Sequence, residues 1–347
     1  MNVVVVGAGL AGLSAAFELR RAGQTVMVLD AERRSGGVIV TEHPAPGWIV
    51  EAGPDGFLSA DPDIPSLATE VGIHGRLVSQ QAKQSLVWDG TSLAPLATGA
   101  AAELLEIDAR GLDLSQGFTS FVGGMAELVA ALADGATRHT AGVTSVHPTD
   151  RGFRLSATGG MSLECRALVL AIPSYAAAVA IAALDAPARH TLEAITYHPS
   201  VNVSLAYRRE QIAHPLDASG FATAPGVGGV VRACTFASSK FPGRAPEGHA
   251  LLRAFIGPVA GDPGSAAHKA LTPLLGITGA PLWTKVFQWP RGIPRYGPAH
   301  VEGVRTARRR LAALGPIALA GAGYDGAGVS ACVRSGRAAA RDLLSRL

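Results

Sequence analysis

A run of glycines near the amino terminus has the spacing of a phosphate-binding turn. Residues 7–12 read Gly-Ala-Gly-Leu-Ala-Gly, a G-x-G-x-x-G pattern. In such a turn Gly7 permits a tight bend, Gly9 lets the backbone approach a pyrophosphate, and Gly12 lets a helix pack closely on the strands. The free N–H groups at the start of that helix then face the phosphates. The pattern therefore predicts that backbone groups hold a dinucleotide here.

The residues around this turn complete a βαβ unit. The β-branched run Val3–Val6 precedes it, apolar residues at helical spacing follow it, and Gly23 ends the helix. A second strand over residues 25–29 ends at Asp30, where an acid is placed to bond ribose hydroxyl groups. A lone G-x-G-x-x-G can be a merely tight turn. Because strand, helix, second strand and acid occur together, we predict dinucleotide binding.

Two further stretches favour FAD over NAD. The doublet Gly36-Gly37 follows Asp30 after a short loop, and residues 47–58 read GWIVEAGPDGFL. The doublet and the ExGPxxF stretch resemble the continuation found in FAD-containing amine-oxidase-like flavoproteins, in which the second loop passes the pyrophosphate and the isoalloxazine. Two ordinary turns are the alternative interpretation.

The carboxyl-terminal region repeats the strand, glycine turn and helix arrangement. Residues 316–320 predict a short strand, and a helix beginning at Val329 carries three arginines on its outer face. A second electron-rich group, such as the N1–C2=O edge of a flavin, is expected at this helix N-terminus. The turn glycines are Gly321, Gly323, Gly326 and Gly328, and the arginines are Arg334, Arg337 and Arg341.

The middle of the chain predicts a second sheet. Residues 86–93 predict a hairpin with an Asp-Gly turn, and the short apolar stretches 143–146, 153–156 and 167–172 can extend the first sheet. From Ser200 onward strand follows strand with few helices between them. These expected strands cover residues 201–207, 220–223, 232–239, 249–257 and 284–289.

The fold class predicted from this order is α/β, with a Rossmann-like FAD-binding domain and an inserted, mainly antiparallel β substrate domain. The FAD-binding domain is expected to be discontinuous, over residues 1–57, 119–186 and 290–347. Residues 58–118 and 187–289 are expected to form the substrate domain. The cleft between the two domains would hold the ligand.

Composition excludes several classes of function. The 347 residues include 42 glycines, 5% aromatic residues and 16% charged residues, with a formal net charge of +3. So few aromatics and so small a charge predict no nucleic-acid partner. Three widely spaced cysteines predict no disulfide framework and fit a reducing, cytoplasmic location. Ten histidines without ligand spacing give no support to a metal site.

No membrane span is predicted. Residues 1–17 lack a basic start and a cleavage pattern, and the uncharged run over residues 167–184 is broken by Pro173. We interpret that run as a buried strand, a proline turn and an alanine-rich helix. Arg305 and the run Arg308-Arg309-Arg310 are interpreted as the solvated face of a helix, and peripheral contact with a membrane stays open.

Four stretches together resemble the protoporphyrinogen/coproporphyrinogen oxidase family of FAD enzymes. Residues 53–58 (GPDGFL) are similar to its GPDSF, and residues 289–296 (WPRGIPRY) to its WPxAIPQY. Residues 234–248 nearly reproduce the family sequence, and residues 319–339 resemble its flavin-closing helix. The resemblance implies an FAD-dependent oxidase that removes hydrides from a tetrapyrrole porphyrinogen to form a porphyrin in haem biosynthesis. The acceptor would be dioxygen or a quinone.

The resemblance also implies the FAD contacts. Residues of the first turn would hold the pyrophosphate, Asp30 and Ala31 the ribose, and the backbone of Val143 the adenine. The other implied contacts lie along the diphosphate and the flavin. The implied set is Gly7, Ala8, Gly9, Leu10, Ala11, Gly12, Asp30, Ala31, Gly37, Val38, Gly53, Pro54, Asp55, Gly56, Val143, Trp289, Gly328, Val329 and Ser330.

Basic residues of the β-rich region are candidates for binding substrate carboxylates, since arginine can hold a carboxylate with two parallel hydrogen bonds. The candidates are Arg232, Lys240, Arg244 and Arg295, with solvated surface charges as the alternative interpretation. No catalytic side chain is assigned, because the flavin would carry the chemistry. Tyr324 is expected either near the flavin or in the core, and Cys332 as a buried structural thiol.

The chain departs from the family in three places. Val38 stands where a basic residue is usual in the family, and Arg33 or Arg34 could take the place of that residue at the phosphate. Asp325 also stands where a basic residue is common. Ser330-Ala331 replaces Pro-Asp. Between residues 89 and 117 a long helical insertion is largely missing, and a short segment remains, with an alanine-rich helix expected over residues 100–107.

The missing insertion keeps alternatives open for function. The chain could be an FAD oxidase of another substrate, such as an amine or an apolar polyene. It could instead be a non-catalytic FAD-binding homologue, or one that needs a partner chain to complete the pocket.

Overall fold

The computed structural model describes residues 2–97, 99, 100, 104 and 113–347. The strands in chain order are β1 Val3–Val6, β2 Val26–Asp30, β3 Thr41–Glu42, β4 Val50–Glu51, β5 Phe57–Leu58, β6 Leu77–Ser79, β7 Ser85–Trp88, β8 Leu93–Leu96, β9 Phe118–Phe121, β10 Thr137–Thr140, β11 Val143–Thr149, β12 Gly152–Ala157, β13 Met161–Cys165, β14 Ala167–Leu170, β15 Tyr197–Arg208, β16 Gly220–Thr223, β17 Val231–Phe236, β18 His249–Ile256, β19 Trp283–Pro294 and β20 Ile317–Leu319.

Helices cover both faces of the first sheet and pack beside the second. In chain order they are α1 Leu10–Arg21, α2 Asp63–Glu70, α3 Ala126–Ala133, α4 Ser174–Ala180, α5 Ala186–Glu193, α6 Ala237–Lys240, α7 Pro263–Leu275, α8 His300–Ala312, α9 Ala322–Asp325 and α10 Val329–Leu344. Short 3₁₀ turns lie at His74–Arg76, Thr158–Gly160 and Arg209–Gln211.

A parallel sheet in the order β10-β2-β1-β14-β20 forms the first layer. Val3 pairs with Val26 on one side and with Ala167 on the other. Every residue of β1 is buried, as expected for a central parallel strand with helices on both faces. The predicted βαβ unit, the predicted strand beginning at Ala167 and the helix after Pro173 are confirmed.

The prediction that the stretches 143–146 and 153–156 extend this sheet is wrong. With β13 they form a separate antiparallel sheet, β11-β12-β13. The turns between these strands are very short, and a parallel neighbour needs a crossover connection of a dozen residues or more. The strand β10, which the sequence analysis did not predict, pairs with β2 instead.

A larger sheet, in the order β19-β15-β18-β17-β16-β7-β8, forms the second layer. Its pairs are antiparallel except for β16 with β7, and the predicted hairpin appears as β7 and β8 at one edge. The strand predicted over residues 232–239 ends at Phe236, where α6 begins. β19 continues to Pro294, past the domain boundary predicted at residue 290.

The expectation of few helices beside this sheet missed α7. Asp262 caps it by accepting a hydrogen bond from the Ser265 N–H at 2.7 Å, and Pro263 occupies the first turn. Gly276 ends the helix in the left-handed conformation, with φ of 59°. Acid, proline and terminal glycine are recognised helix signals, so this element was readable from sequence.

Several arginines that were expected on outer faces have partners within the protein. Arg337 bonds Glu18 at 2.9 Å and Glu70 at 2.7 Å, which ties α10 to α1 and α2. Arg308 pairs with Asp325 and Arg310 with Asp185, so part of the arginine run on α8 holds neighbouring elements. Among the described residues, no helix has both the length and the apolar character needed to span a lipid bilayer.

Helices α1 and α10 touch backbone to backbone. A Cβ atom built on Gly336 of α10 would lie 2.1 Å from the Ala11 carbonyl oxygen of α1, far inside van der Waals contact. Any side chain at this position would therefore push the two helices apart.

Gly336→Ala should lower the free energy of unfolding by about 1–3 kcal/mol, because a backbone carbonyl cannot move aside as a flexible side chain can. Gly75→Ala is the matched control, since a Cβ there meets nothing within 4 Å. Urea unfolding measures both. Equal midpoints for the two variants would contradict the close contact.

Candidate functional site

The predicted phosphate-binding turn opens at the carboxyl end of β1. Gly7 adopts φ of +106°, and a Cβ on Gly12 would lie 1.9 Å from the Gly7 carbonyl oxygen. Gly9 stands at the N-cap of α1 with no side-chain cap, and the first turn carries no acid. A Cβ on Gly9 would meet nothing within 4 Å. The space beside Gly9 at the start of α1 therefore fits a pyrophosphate held by the helix N–H groups.

Three glycine stretches of the sequence meet at this turn. Gly36 donates its N–H to the Ala8 carbonyl oxygen at 2.8 Å, and a Cβ on Gly37 would lie 3.5 Å from the Cα of Gly9. A Cβ on Gly53 would lie 1.9 Å from the Val38 carbonyl oxygen. The structure therefore brings the doublet and the Gly53–Gly56 loop to the predicted dinucleotide site.

The carboxyl-terminal glycine turn lies at the same edge. Gly321 donates its N–H to Ser335 Oγ at 2.8 Å, and Gly328 stands at the N-cap of α10 without a side-chain cap. Gly336 of α10 contacts Ala11 near the start of α1, so the two helices pack together at this edge. Val329 and Ser330 begin the helix and are 8% and 7% exposed.

Asp30 lies where an adenosine ribose is expected. One carboxylate oxygen accepts the Ala8 N–H at 2.6 Å and the other accepts the Glu32 N–H at 2.7 Å. Each oxygen keeps a second lone pair for a ribose hydroxyl. The Ala141 N–H bonds the Asp30 carbonyl oxygen at 2.7 Å, which places Val143 beside this strand end, as its predicted adenine contact requires.

Arg138 organises the loop after Asp30, a role that the sequence analysis missed. Its guanidinium donates to the carbonyl oxygens of Arg33 at 2.8 Å, of Arg34 at 3.3 Å and of Glu32. The Arg33 and Arg34 side chains stay exposed. Whether either replaces the basic residue missing at Val38 stays a prediction.

The larger sheet holds the loop that begins at Gly53. Trp289 Nε1 and Asn202 Nδ2 both donate to the Ala52 carbonyl oxygen, each at 2.9 Å. Arg253 donates to the Gly53 carbonyl oxygen at 2.5 Å. Asn202 and Arg253 are buried, on β15 and β18, and no local motif marks them. Trp289 therefore lies beside the loop, and its implied contact with the flavin stays a prediction.

Two residues that were predicted to bind substrate carboxylates have other partners. Lys240 Nζ lies 3.0 Å from both carboxylate oxygens of Asp55. Arg244 is 2% exposed and donates to Ser120 Oγ at 2.8 Å and to the carbonyl oxygens of Phe121 and Val122. Lys240 therefore supports the loop that begins at Gly53, and Arg244 holds the end of β9 and the residue after it.

The remaining members of the predicted set lie as follows. Arg232 is exposed on β17, and Arg295 is exposed just after β19. Their predicted role with substrate stays a prediction. Pro54 is half-buried, and a Cβ on Gly56 would lie 2.7 Å from the Thr119 carbonyl oxygen, so this loop too is packed against backbone.

Burial and neighbouring charges shift the pKa values of two carboxyl groups, Asp55 and Glu51, near the loop that begins at Gly53. Burial alone would raise the pKa of Asp55, but the positive charges of Lys240 and Arg253 outweigh it and hold that pKa below its usual value. Glu51 is 5% exposed and accepts the Met125 N–H at 2.8 Å and the Thr41 hydroxyl at 2.9 Å. Burial nevertheless raises its pKa to about 7.

The departures near α10 have local explanations. Asp325, which replaces a usual basic residue, accepts two hydrogen bonds from Arg308, at 2.8 and 2.6 Å. Arg308 therefore brings a positive charge to this place from α8. Tyr324 is buried and donates to the Ile172 carbonyl oxygen at 2.9 Å, so it belongs to the core. Most of the helix expected over residues 100–107 lies outside the described residues.

Fold and site together define a dinucleotide-binding flavoprotein. The family model for flavin containing amine oxidoreductases matches residues 10–122 and 96–344. The chain belongs to this family, and it is an FAD-dependent oxidoreductase.

The similar proteins have related descriptions. Coproporphyrinogen III oxidase of Bacillus subtilis (strain 168) is 23% identical over 466 positions, covering 100% of this chain and 98% of that protein. Coproporphyrinogen III oxidase of Propionibacterium freudenreichii subsp. freudenreichii is 31% identical over 242 positions, covering 65% and 45%. A solved structure from Exiguobacterium sp. 255-15, provisionally assigned as a protoporphyrinogen oxidase, superposes with a TM-score of 0.85 at 20% identity, covering 99% of each chain.

Gly9→Ala should keep the fold and weaken FAD binding. The φ of −71° suits any residue, and the added methyl group contacts no protein atom but occupies the turn that the pyrophosphate must approach. We expect an unchanged urea midpoint and a dissociation constant for FAD raised about tenfold or more, measured by quenching of flavin fluorescence. FAD binding as tight as in the wild type would argue against this turn as the pyrophosphate site.

The raised pKa of Glu51 predicts a pH dependence of stability. Between its ordinary pKa of 4.5 and about 7, the folded protein keeps a proton that the unfolded chain releases. The resulting stabilisation is fully present below pH 4.5 and is lost as pH rises through about 7, by up to roughly 3 kcal/mol. Glu51→Gln, neutral at every pH, should remove this loss.

Urea titrations of the FAD-saturated proteins between about pH 5 and pH 8 measure the effect. Glu164→Gln is the control, because Glu164 forms an exposed surface pair with Arg154. If the wild type and the Glu51→Gln protein lose stability in parallel over this range, Glu51 does not titrate as described.

Proposed function

We propose that this chain oxidises a porphyrinogen to a porphyrin by removing hydrides, in haem biosynthesis, with dioxygen or a quinone as the final acceptor. One observation carries the proposal. The stretch over residues 234–248, which most closely resembles porphyrinogen oxidases, supplies Lys240, which pairs with Asp55 in the loop at Gly53. A residue that marks this resemblance therefore supports a loop that is predicted to line the cofactor.

The comparisons support the same proposal. The alignment with the Bacillus subtilis coproporphyrinogen III oxidase runs through the whole chain. It therefore includes both the dinucleotide turn and the larger sheet, which a match confined to a nucleotide-binding domain would not.

The residues of the chain bind and orient the cofactor. The N–H groups at the start of α1 would hold the pyrophosphate, and Asp30 the ribose. The loop after Ala52, fixed by Trp289 and Arg253, would lie along the flavin, and α10 would direct its N-terminus at the flavin's electron-rich edge. When bound, FAD supplies the hydride-accepting N5 atom.

No side chain is assigned to transfer protons in the proposed reaction. Asp55 is engaged by Lys240, and Glu51 by Met125 and Thr41. Both carboxyl groups lie under the loop and have structural partners. The protein's contribution is to position the ring and to exclude water around it.

A second candidate rests on the length of the chain. The alignment with the Bacillus subtilis protein covers 466 positions, whereas this chain has 347 residues. The relative therefore carries segments that this chain lacks. A shortened substrate side favours either a different substrate, such as an amine or an apolar polyene, or a partner chain that completes the pocket.

FAD-loaded protein should convert coproporphyrinogen III or protoporphyrinogen IX to a fluorescent porphyrin, under air or with an added quinone. The rate is measured by porphyrin fluorescence against a heat-inactivated control. Absence of turnover with both substrates would overturn the proposal for the isolated chain. Anaerobic bleaching of the flavin by an amine, or activity restored by a co-purifying protein, would then select between the alternatives.

A further inference from the structure

The last part of β19 and the residues after it bridge the two sides of the cofactor site. Trp289 donates to the Ala52 carbonyl oxygen, next to the Gly53 loop. Tyr296 donates to the Ala322 carbonyl oxygen at 2.7 Å, in the turn that begins at Gly321. Between these anchors the chain crosses from one cofactor-facing loop to the other. Side chains exposed on this crossing therefore lie between the two loops that are predicted to face the cofactor.

Arg291 is exposed on this crossing and rests on an aromatic platform. Its guanidinium carbon lies 4.4 Å from the centre of the Tyr175 ring, within range for a cation–π interaction. Tyr175 in turn packs edge-on against Tyr197, with ring centres 5.3 Å apart. The Tyr197 hydroxyl accepts the Ser174 N–H at 2.9 Å, and this fixes the platform. The cation is thus held in place by packing.

No carboxylate among the described residues lies within 4.0 Å of the Arg291 guanidinium. Two other arginines at this edge do have acidic partners: Arg308 pairs with Asp325 and Arg334 with Asp61. A guanidinium that is held over a ring and has no carboxylate partner among the described residues can direct its N–H donors at a ligand.

Exposed apolar and aromatic side chains lie near Arg291, together with the exposed Arg295. Ile293, two residues further along the strand, is 50% exposed, and Tyr296 is 40% exposed. Such a surface suits a flat apolar ring, and the arginine beside it suits a carboxylate at the edge of that ring. The same charge would repel an ammonium group.

We propose that Arg291, held over Tyr175, binds a peripheral carboxylate of the substrate. The substrate class is therefore a flat macrocycle with acidic side chains, and an amine is disfavoured. The inference rests on the proposed function, because it places the reacting ring at the crossing between Trp289 and Tyr296.

The test measures binding separately from turnover. Coproporphyrin III and its tetramethyl ester are titrated into FAD-loaded protein in the same detergent, followed by porphyrin fluorescence. Arg291→Gln should weaken binding of the acid by about tenfold and leave binding of the ester unchanged. Arg291→Lys should fall between, since it keeps the charge and loses the planar fork.

Two further variants test the platform and the specificity of the effect. Tyr175→Phe keeps the ring and should bind the acid as the wild type does, whereas Tyr175→Leu should weaken it. Arg166→Gln is the matched control, because Arg166 is an exposed arginine just before β14. It lies at the amino-terminal end of the parallel strands, opposite the end that carries the predicted cofactor site. The flavin spectrum of each variant reports whether the cofactor site is intact.

The outcomes separate this inference from the proposed function. If Arg291→Gln binds the acid as tightly as the wild type, or if the wild type does not distinguish acid from ester, the inference is wrong. Acid binding that depends on Arg291, without turnover, would uphold the inference and overturn the proposed function. Turnover whose KM is the same in Arg291→Gln as in the wild type would uphold the proposed function and overturn the inference.

Discussion

The cofactor edge of this protein depends on backbones that touch with no side chain between them. At Gly12 and Gly53 an added Cβ would lie 1.9 Å from a carbonyl oxygen, and at Gly336 it would lie 2.1 Å from one. These contacts set the spacing of the first turn, the second loop and the last helix. Because hard-sphere repulsion leaves no room for adjustment, the glycines determine where the backbone groups that bind FAD can stand.

Buried charges connect this edge to the larger sheet. The carbonyl oxygens of Ala52 and Gly53 need hydrogen-bond partners, and Asn202, Trp289 and Arg253 provide them. Lys240 and Asp55 pair beside them at 3.0 Å. Burying such charges is costly unless each is paired, so the cluster holds together only when the larger sheet and the loop are in register. The sheet thereby positions the cofactor loop as well as the substrate side.

In the proposed function, cofactor binding and substrate recognition rest on different parts of the chain. Backbone groups of the parallel sheet and its helices would bind FAD. The exposed residues of β19 contribute a cation and apolar surface instead. The chain keeps the glycine-rich loops of the predicted cofactor site although it lacks segments that its longer relative carries.

Local requirements were readable from the sequence alone: the first glycine turn, the strands around it, Asp30 and the glycine turn before α10. Each depends on backbone conformation or periodicity within a few residues. The partners of Lys240, Arg244 and Arg253 were decided by tertiary structure. Arg253 meets Gly53 across 200 residues of chain, and Lys240 meets Asp55 across 185. Such pairs depend on strand register and on how the sheets pack, which no local pattern records, so Lys240 and Arg244, which were predicted to bind substrate, instead have partners within the protein.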